Sequence, residues 1–207
     1  MIMCCAVFET LLLSDDEVAS LLSMREVMEV VEAAFREKGL GRVQMPSKIY
    51  LFFGKYNGDL RAMPSYLEGM DIAAVKVVNV HPENKEKYGL PTVMATIILV
   101  DPKSGFPLAI MGGTTITNMR TGAAGGIAAK YLARRDSRVV GFIGAGAQAR
   151  TQLMGLLEVF GSFEEVRVWD RSVESRVKFR DEMMVKYGDK CRIILVDRAE
   201  DAVRGLI

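Results

Sequence analysis

The sequence predicts an α/β protein in which an α+β region precedes a parallel, doubly wound α/β region, with only the first half of the latter present. Two observations support this fold class. Between residues 47 and 111, short strand-like runs alternate with turn residues, as in a mostly antiparallel sheet. From Val139 onward, strand-like and helix-like segments alternate, as in a parallel sheet built from β-α-β units. We therefore predict two domains, comprising residues 1–115 and 116–207.

The start of the chain is predicted to be helical. Ser14–Glu17 and Ser23–Glu26 each match a capping box, in which a serine and a glutamate three residues later satisfy N–H groups at a helix N-terminus. These patterns predict a short helix near 15–21 and a longer one near 24–39. Apolar residues recur at helical spacing in the longer segment, and Gly39 is typical of a helix end.

Five strands and a long helix are predicted in the middle of the chain. Asn57-Gly58 and the hairpin-like loop Asp101–Gly105 are among the turns between the strands. The strands are Ile49–Phe53, Asp59–Met63, Ala73–Val80, Thr92–Val100 and Pro107–Met111. The helix, over Thr115–Ala133, is rich in glycine and alanine. Since each glycine destabilises an isolated helix by about 0.5–1 kcal/mol relative to alanine, this composition predicts close packing against another backbone.

A glycine-rich turn carries the clearest functional signal. The apolar strand Val139–Ile143 leads into Gly144, Gly146 and Ala149, which form a G-x-G-x-x-A pattern at the start of a helix. Gly144 permits a tight turn, Gly146 lets the backbone approach a pyrophosphate, and Ala149 lets the helix pack on the strand. The helix N-terminus then offers N–H groups to the phosphates. The pattern predicts a Rossmann-type dinucleotide-binding domain.

The next strand indicates which dinucleotide is bound. The segment Glu165–Trp169 ends at Asp170, close to the spacing of the carboxylate that binds the ribose diol. A carboxylate there repels a 2′-phosphate, so NAD is favoured over NADP. Arg171 is long enough to reach a 2′-phosphate, which keeps NADP open, and Asp170 as a simple helix N-cap is the structural alternative. A third strand is predicted over 192–196.

Composition and charge exclude several classes of protein. The 27 Lys and Arg residues balance 26 Asp and Glu residues, leaving a net charge of +1 with no basic patch for nucleic acid or a membrane surface. The longest apolar run, 90–100, is too short to span a bilayer. Cys4, Cys5 and Cys191, with a single histidine, match neither a zinc site nor a disulfide framework. A reducing cytoplasm fits this cysteine usage.

Four cations are candidates for chemistry. Lys76 lies inside an apolar strand, where desolvation can lower the pKa of its ammonium and suit it to acid/base work. A strand lysine whose head reaches water is the alternative. Lys48 and Arg61 are able to bind a substrate carboxylate, or are surface cations. Arg120 is able to bind a pyrophosphate or a carboxylate, or forms a structural ion pair. His81, in a turn, is not assigned as a base.

Six motifs together resemble the ornithine cyclodeaminase/μ-crystallin family. The strings, in family order, are QMPSK, GDLRAMP, VKVVNVHPEN, GLPTVMA, MRTGAAGGIAAKYLAR and GFIGAGAQA. The resemblance extends from about Thr10 to Asp170. GDLRAMP and GLPTVMA are most similar to its archaeal alanine dehydrogenase branch.

The resemblance implies a fold, a reaction and a set of site residues. The fold would be an α+β substrate and dimerisation domain followed by a Rossmann domain, in a homodimer. The reaction would be NAD-linked oxidation of an L-amino acid at Cα. Lys76 matches the family's acid/base lysine, and Lys48 and Arg61 match positions near the substrate carboxylate. The matching cofactor-binding positions are Thr92, Arg120, Ala147, Gln148 and Asp170.

The same resemblance leaves the reaction open and implies that the chain is a fragment. Family members continue well beyond residue 207, and the missing part holds the other Rossmann half and the aspartate that cyclodeaminases use. A fragment of this kind is expected to be inactive by itself. Alanine dehydrogenase is the leading hypothesis; the alternatives are an ornithine cyclodeaminase, a cyclic-imine reductase and a non-catalytic, μ-crystallin-like nucleotide-binding protein.

Overall fold

The structure, a computed structural model, describes residues 9–205 and divides them into two compact units. The first unit comprises residues 9–22 and 33–117, and the second comprises 23–32 and 118–205. Cys4 and Cys5 lie outside the described residues, and Cys191 is buried. Among the described helices, none is long and apolar enough to cross a membrane.

Both predicted N-terminal helices are confirmed. They are α1 (Asp15–Leu21) and α2 (Met24–Gly39). At α1, Ser14 accepts a hydrogen bond from the N–H of Glu17, and the Glu17 carboxylate accepts one from the N–H of Ser14 at 2.7 Å, so the capping box is complete. Ser23 likewise accepts a hydrogen bond from the N–H of Glu26 at 3.3 Å. Local capping therefore sets where these helices begin.

A seven-stranded sheet forms most of the first unit. Its strands are β1 (Leu11–Leu13), β2 (Val43–Gln44), β3 (Ile49–Phe53), β4 (Gly58–Leu67), β5 (Ile72–Val80), β6 (Val93–Val100) and β7 (Pro107–Gly112). Their order is β1-β7-β6-β5-β4-β2, with β3 also paired to β4. Every pair is antiparallel except β1 with β7. The five predicted strands and the mostly antiparallel sheet are confirmed.

Three details of this unit differ from the prediction. Strands β1 and β2 were not predicted, because each is very short and is defined by a partner distant in sequence. The short helix α3 (Asn84–Tyr88) lies between β5 and β6, where no helix was predicted. Strand β4 continues through Pro64, which lies between the stretches of β4 that pair with β3 and with β2. Proline is tolerated where a strand has an open edge.

The second unit contains the predicted β-α-β-α-β arrangement. After α4 (Thr114–Leu132), its elements are β8 (Val139–Ile143), α5 (Ala147–Phe160), β9 (Phe163–Trp169), α6 (Val173–Tyr187), β10 (Cys191–Leu195) and α7 (Ala199–Val203). The strands form a parallel sheet in the order β10-β9-β8, which is the 3-2-1 order of the first half of a Rossmann fold. Leu153, Val166, Val168 and Phe179 are fully buried between the sheet and its helices.

Helices α4 and α5 are in close contact through glycines. A Cβ atom at Gly126 would lie 2.6 Å from the carbonyl oxygen of Gly155, a distance that no side chain tolerates. At the same crossing, the Gln152 side chain donates a hydrogen bond to the carbonyl oxygen of Thr121 at 3.0 Å. The predicted backbone packing of the glycine-rich helix is thus confirmed, and α5 is its partner.

Candidate active site

One face of the first unit's sheet carries two of the predicted site residues, Lys76 and Arg61. Lys76 on β5 pairs with Met63 on β4, and Arg61 on β4 pairs with Tyr50 on β3. Alternate residues of a strand share a face, so Arg61 and Met63 lie on the same side of β4. Pairing then places Tyr50 and Lys76 on that side too. The register of three strands therefore brings Lys76 and Arg61 to one surface.

A cavity of about 600 Å³ lies over this face and joins Lys76 to Lys48. Its size is in the range of small-molecule sites. The cavity is lined by Met45, Pro46, Ser47, Lys48, Tyr50, Met63, Pro64, Ser65 and Lys76. Two ammonium groups thus meet a largely apolar wall, an arrangement suited to a small anionic ligand with an apolar side chain.

Arg61 is held in position by Asp59 and Tyr50. Its Nε and Nη2 donate to the two carboxylate oxygens of Asp59 at 2.7 and 2.8 Å, and its guanidinium lies 5.3 Å from the centre of the Tyr50 ring. The hydrogen bonds from Arg61 hold the pKa of Asp59 below its ordinary value. Asp59 was not identified from the sequence. Its position two residues before Arg61 on the same strand does indicate that the two side chains share a face.

Lys76 makes a hydrogen bond to the first turn of α4. Its Nζ donates to the hydroxyl oxygen of Thr117 at 3.4 Å, and Thr117 is buried. The lysine is neither fully exposed nor fully buried. Its ammonium therefore has a polar neighbour while it lines the cavity. The acid/base role of Lys76 and the carboxylate-binding roles of Lys48 and Arg61 remain predictions.

Two further positions of interest in the first unit, Thr92 and His81, do not line this cavity, and neither does Arg61. Thr92, just before β6, is exposed, and its carbonyl oxygen accepts the N–H of His81 at 2.9 Å. The ring of His81 stacks on Phe53 with a centroid distance of 5.9 Å, and it lies directly over Gly58. These contacts give His81 a packing role in the fold.

In the second unit, the glycine-rich turn presents backbone to open space. Gly144 has φ of +106°, a conformation that side chains rarely adopt, and its N–H donates to the carbonyl oxygen of Trp169 at 2.7 Å. Gly146 precedes the first residue of α5, Ala147, and receives no side-chain cap within the described part of the chain. A Cβ at Gly144 or Gly146 would meet no atom within 4 Å. The turn therefore fits the phosphates of a dinucleotide.

Asp170 contacts this turn directly. One carboxylate oxygen accepts the N–H of Ala145 and the other accepts the N–H of Ser172, both at 2.8 Å. Burial acts to raise the pKa of Asp170, but these two N–H groups and the charges of Arg171 and Arg176 hold it below its ordinary value. Each oxygen retains a lone pair for a ribose hydroxyl. The N-cap of α6 is Ser172, so the simple N-cap alternative for Asp170 is wrong.

The other predicted cofactor positions of this unit lie on α4, α5 and the loop after β9. The amide of Gln148 donates to the side-chain oxygen of Asn118 at 2.8 Å, which ties the start of α5 to α4. Burial lowers the pKa of Arg120, although an arginine stays charged at any physiological pH. Arg171 is exposed. Asn118 was not predicted from the sequence, and neither was Arg150, whose guanidinium contacts the glycine-rich turn.

Across residues 9–205, no group of three or more His, Cys, Asp or Glu side chains is arranged to hold a metal ion. The cavity is lined by two lysines and the turn presents backbone N–H groups, both of which suit anionic ligands.

Comparison with known proteins gives consistent matches. A family model described as the ornithine cyclodeaminase/mu-crystallin family matches residues 8–206. An alanine dehydrogenase from Archaeoglobus fulgidus is 56% identical over 171 residues, which are 83% of this chain and 51% of that protein. The chain therefore spans about half the length of this curated relative.

Two solved structures are also similar. The Delta(1)-pyrroline-2-carboxylate reductase of Thermococcus litoralis, in complex with NADH and L-proline, is 48% identical with a TM-score of 0.90, and the match covers 95% of this chain and 59% of that one. An archaeal alanine dehydrogenase dimer with bound NAD is 51% identical with a TM-score of 0.84, covering 93% and 57%.

Proposed function

The chain belongs to the ornithine cyclodeaminase/mu-crystallin family, and from that premise we propose that the protein is an NAD-dependent oxidoreductase with L-alanine as its substrate. The reaction is oxidative deamination to a 2-oxo acid and ammonia, and its reverse. The observation that carries this proposal is the cavity that joins Lys48 and Lys76 beside the braced Arg61. A small amino acid matches both the cations and the apolar wall.

The glycine-rich turn is the proposed site for the cofactor's diphosphate. When bound, NAD accepts a hydride from the substrate. The N–H groups at the start of α5 would hold the diphosphate, and Asp170 would accept hydrogen bonds from the ribose hydroxyls. A 2′-phosphate would be repelled by the Asp170 carboxylate, whose low pKa keeps it charged. NADP is accordingly the weaker candidate.

Lys48, Lys76 and Arg61 each have a proposed role. Lys48 and Arg61 bind the substrate carboxylate and so orient Cα; Arg61 has N–H groups left for this purpose after its two hydrogen bonds to Asp59. Lys76 moves a proton at the substrate nitrogen, or at the water that adds to the imine carbon. The apolar wall, which includes Met45 and Met63, faces the substrate side chain.

Reduction of a cyclic imine is a second candidate, favoured by the similarity to the Thermococcus litoralis reductase. Both reactions interconvert an amine and an imine at a carbon that carries a carboxylate, so the same cations serve either one. Cyclisation of ornithine, which returns its hydride and produces no net NADH, is a third. The candidates differ in the substrate and in the net change of NADH.

NADH absorbance of the intact protein separates these candidates. Net NADH formation from L-alanine and NAD supports the dehydrogenase. Consumption of NADH by Delta(1)-pyrroline-2-carboxylate without activity on alanine supports the reductase, and proline formation from ornithine without net NADH supports the cyclodeaminase. If NADH binds tightly and none of the three substrates reacts, the non-catalytic alternative is supported and the proposal fails.

The role of Lys76 is tested by replacing it. Lys76→Ala should lower kcat by about 10²–10⁴, the usual contribution of acid/base catalysis. Lys103→Ala is the matched control, because the Lys103 side chain is 81% exposed. The assignment is refuted if Lys76→Ala keeps kcat within about twofold of the wild type, well short of that range.

We also propose a homodimer, on the basis of the similarity to the archaeal alanine dehydrogenase dimer. Strand β3 supports this proposal, because Ile49, Leu51 and Phe52 are 63, 55 and 78% exposed. Exposed large apolar side chains of this kind are typical of a surface that another chain covers. Sedimentation of the intact protein at several concentrations tests it, and a monomer throughout would contradict it.

A further inference from the structure

Arg150, on the first turn of α5, donates to two carbonyl oxygens of the glycine-rich turn. Its Nη1 lies 2.8 Å from the carbonyl oxygen of Ala145 and 2.9 Å from that of Gly146. Its Nε donates to the carboxylate of Glu182 on α6 at 2.5 Å, and its guanidinium lies 5.5 Å from the centre of the Phe179 ring. The guanidinium is therefore fixed by α6 and in turn fixes the two carbonyl groups.

These contacts determine which way the N–H groups of the turn point. In a trans peptide, the C=O and the following N–H point in opposite directions. Because the carbonyls of Ala145 and Gly146 point toward Arg150, the N–H groups of Gly146 and Ala147 point away from it. Gly146 and Ala147 are exposed, so these N–H groups face the open side of the turn.

The turn is also fixed on its other side. Asp170 accepts the N–H of Ala145, so this residue is held at its N–H by an anion and at its C=O by a cation. Ala145 itself is 2% exposed. Glycine has more backbone freedom than any other residue, and a turn with Gly144 and Gly146 would otherwise occupy many conformations. Fixing it before binding removes that ordering cost from the binding step.

We propose that Arg150 is a positioning residue for the cofactor: it orients the N–H groups of Gly146 and Ala147 toward the diphosphate. This inference rests on the proposed NAD-linked function. The role that it assigns to Arg150 is indirect: Nη1 donates to the turn and Nε donates to Glu182. The effect of Arg150 should therefore be confined to ligands that carry the diphosphate.

The test compares three ligands on the intact protein: NADH, ADP and adenosine. NADH binding is followed by its fluorescence, and ADP and adenosine are titrated as competitors. Arg150→Met should raise Kd for NADH and ADP by about tenfold, equal to 1.4 kcal/mol, and change that for adenosine by less than about twofold. Arg150→Lys, which keeps a cation near the carbonyls, should give an intermediate value for ADP.

Arg180→Met is the matched control, since Arg180 lies on α6 close to Glu182 in sequence but pairs with Asp181. It should leave all three affinities unchanged. If Arg150→Met binds NADH as the wild type does, or weakens adenosine as much as ADP, the positioning role is overturned while the proposed function stands. If the wild type itself binds neither NADH nor ADP, the proposed function and this inference both fail.

A loss of folding does not obscure the result. Circular dichroism of each variant is compared with the wild type first. Should Arg150→Met be unfolded, Arg150→Lys carries the same comparison, and ADP must weaken more than adenosine for the positioning role to hold.

Discussion

Replacing Gly126 with alanine should destabilise the second unit, because α4 and α5 meet there without side chains. A Cβ at position 126 would lie 2.6 Å from the carbonyl oxygen of Gly155, 2.8 Å from its carbonyl carbon and 3.0 Å from the terminal methyl of Met28. The methionine methyl can move aside. The backbone of Gly155 cannot move unless the two helices separate.

The size of the effect follows from two opposing contributions. Inserting a methyl group into a packed interior costs about 1–3 kcal/mol, and a clash with backbone belongs in the upper part of that range. Alanine stabilises a helix by about 0.5–1 kcal/mol relative to glycine. The packing cost is the larger of the two. We expect a net loss of about 2 kcal/mol in the free energy of unfolding.

Urea denaturation of the intact protein measures this loss. Trp169, the one tryptophan in the sequence, lies on β9 in the same unit as Gly126, so its fluorescence follows the affected unit. Circular dichroism follows the variant and its control as well. The midpoint should move to lower urea concentration with an unchanged slope.

Gly39→Ala is the matched control for the same chemical change. A Cβ at Gly39, the last residue of α2, would meet no atom within 4 Å. Alanine there should leave stability unchanged or raise it by up to about 1 kcal/mol. If Gly126→Ala is as stable as the wild type, or if both substitutions cause the same loss, the close crossing of α4 and α5 is wrong.

Three further predictions concern the site. Asp59→Asn should raise KM for the amino acid by about tenfold in steady-state kinetics, because Arg61 loses a charge-assisted partner; an unchanged or lower KM contradicts this. Gly144→Ala should cost about 1–3 kcal/mol in urea denaturation, because φ is +106°, and equal stability contradicts this strain. Because the pKa of Asp170 is lowered in the folded protein, its contribution to stability is present above the pKa of the unfolded state and is lost as the pH falls through the folded pKa. Asp170→Asn should remove that part of the acid dependence, and identical acid profiles would contradict it.

Local signals in the sequence predicted most of the fold. The capping boxes of α1 and α2, the alternation of the strands and the glycine-rich turn before α5 each involve neighbouring residues only, so the chain displays them directly. Strand β1 has no such local signal. It consists of three leucines, and it is a strand because Leu11 pairs with Ala109, far along the chain. No pattern near Leu11 carries that information.

The candidate site likewise combines residues of one local motif with residues that only strand pairing brings together. Gly144, Gly146 and Asp170 belong to one local β-α-β motif, and the structure brings them together as that motif predicts. Lys48 and Lys76 line the same cavity only because β3, β4 and β5 are paired in a particular register. The spacing of these residues along the chain does not predict that register. Arg150 was missed because its partners are backbone carbonyls, which have no signature in sequence.

Strand β8 has one practical consequence for handling this polypeptide. Within residues 9–205, β8 pairs with β9 on one side only, so its other edge carries unmatched backbone donors and acceptors. Ile143, at the end of that strand, is 61% exposed. Such an edge is a template for adding a further strand. A polypeptide limited to these residues should therefore self-associate as its concentration rises, and light scattering should reveal the aggregates.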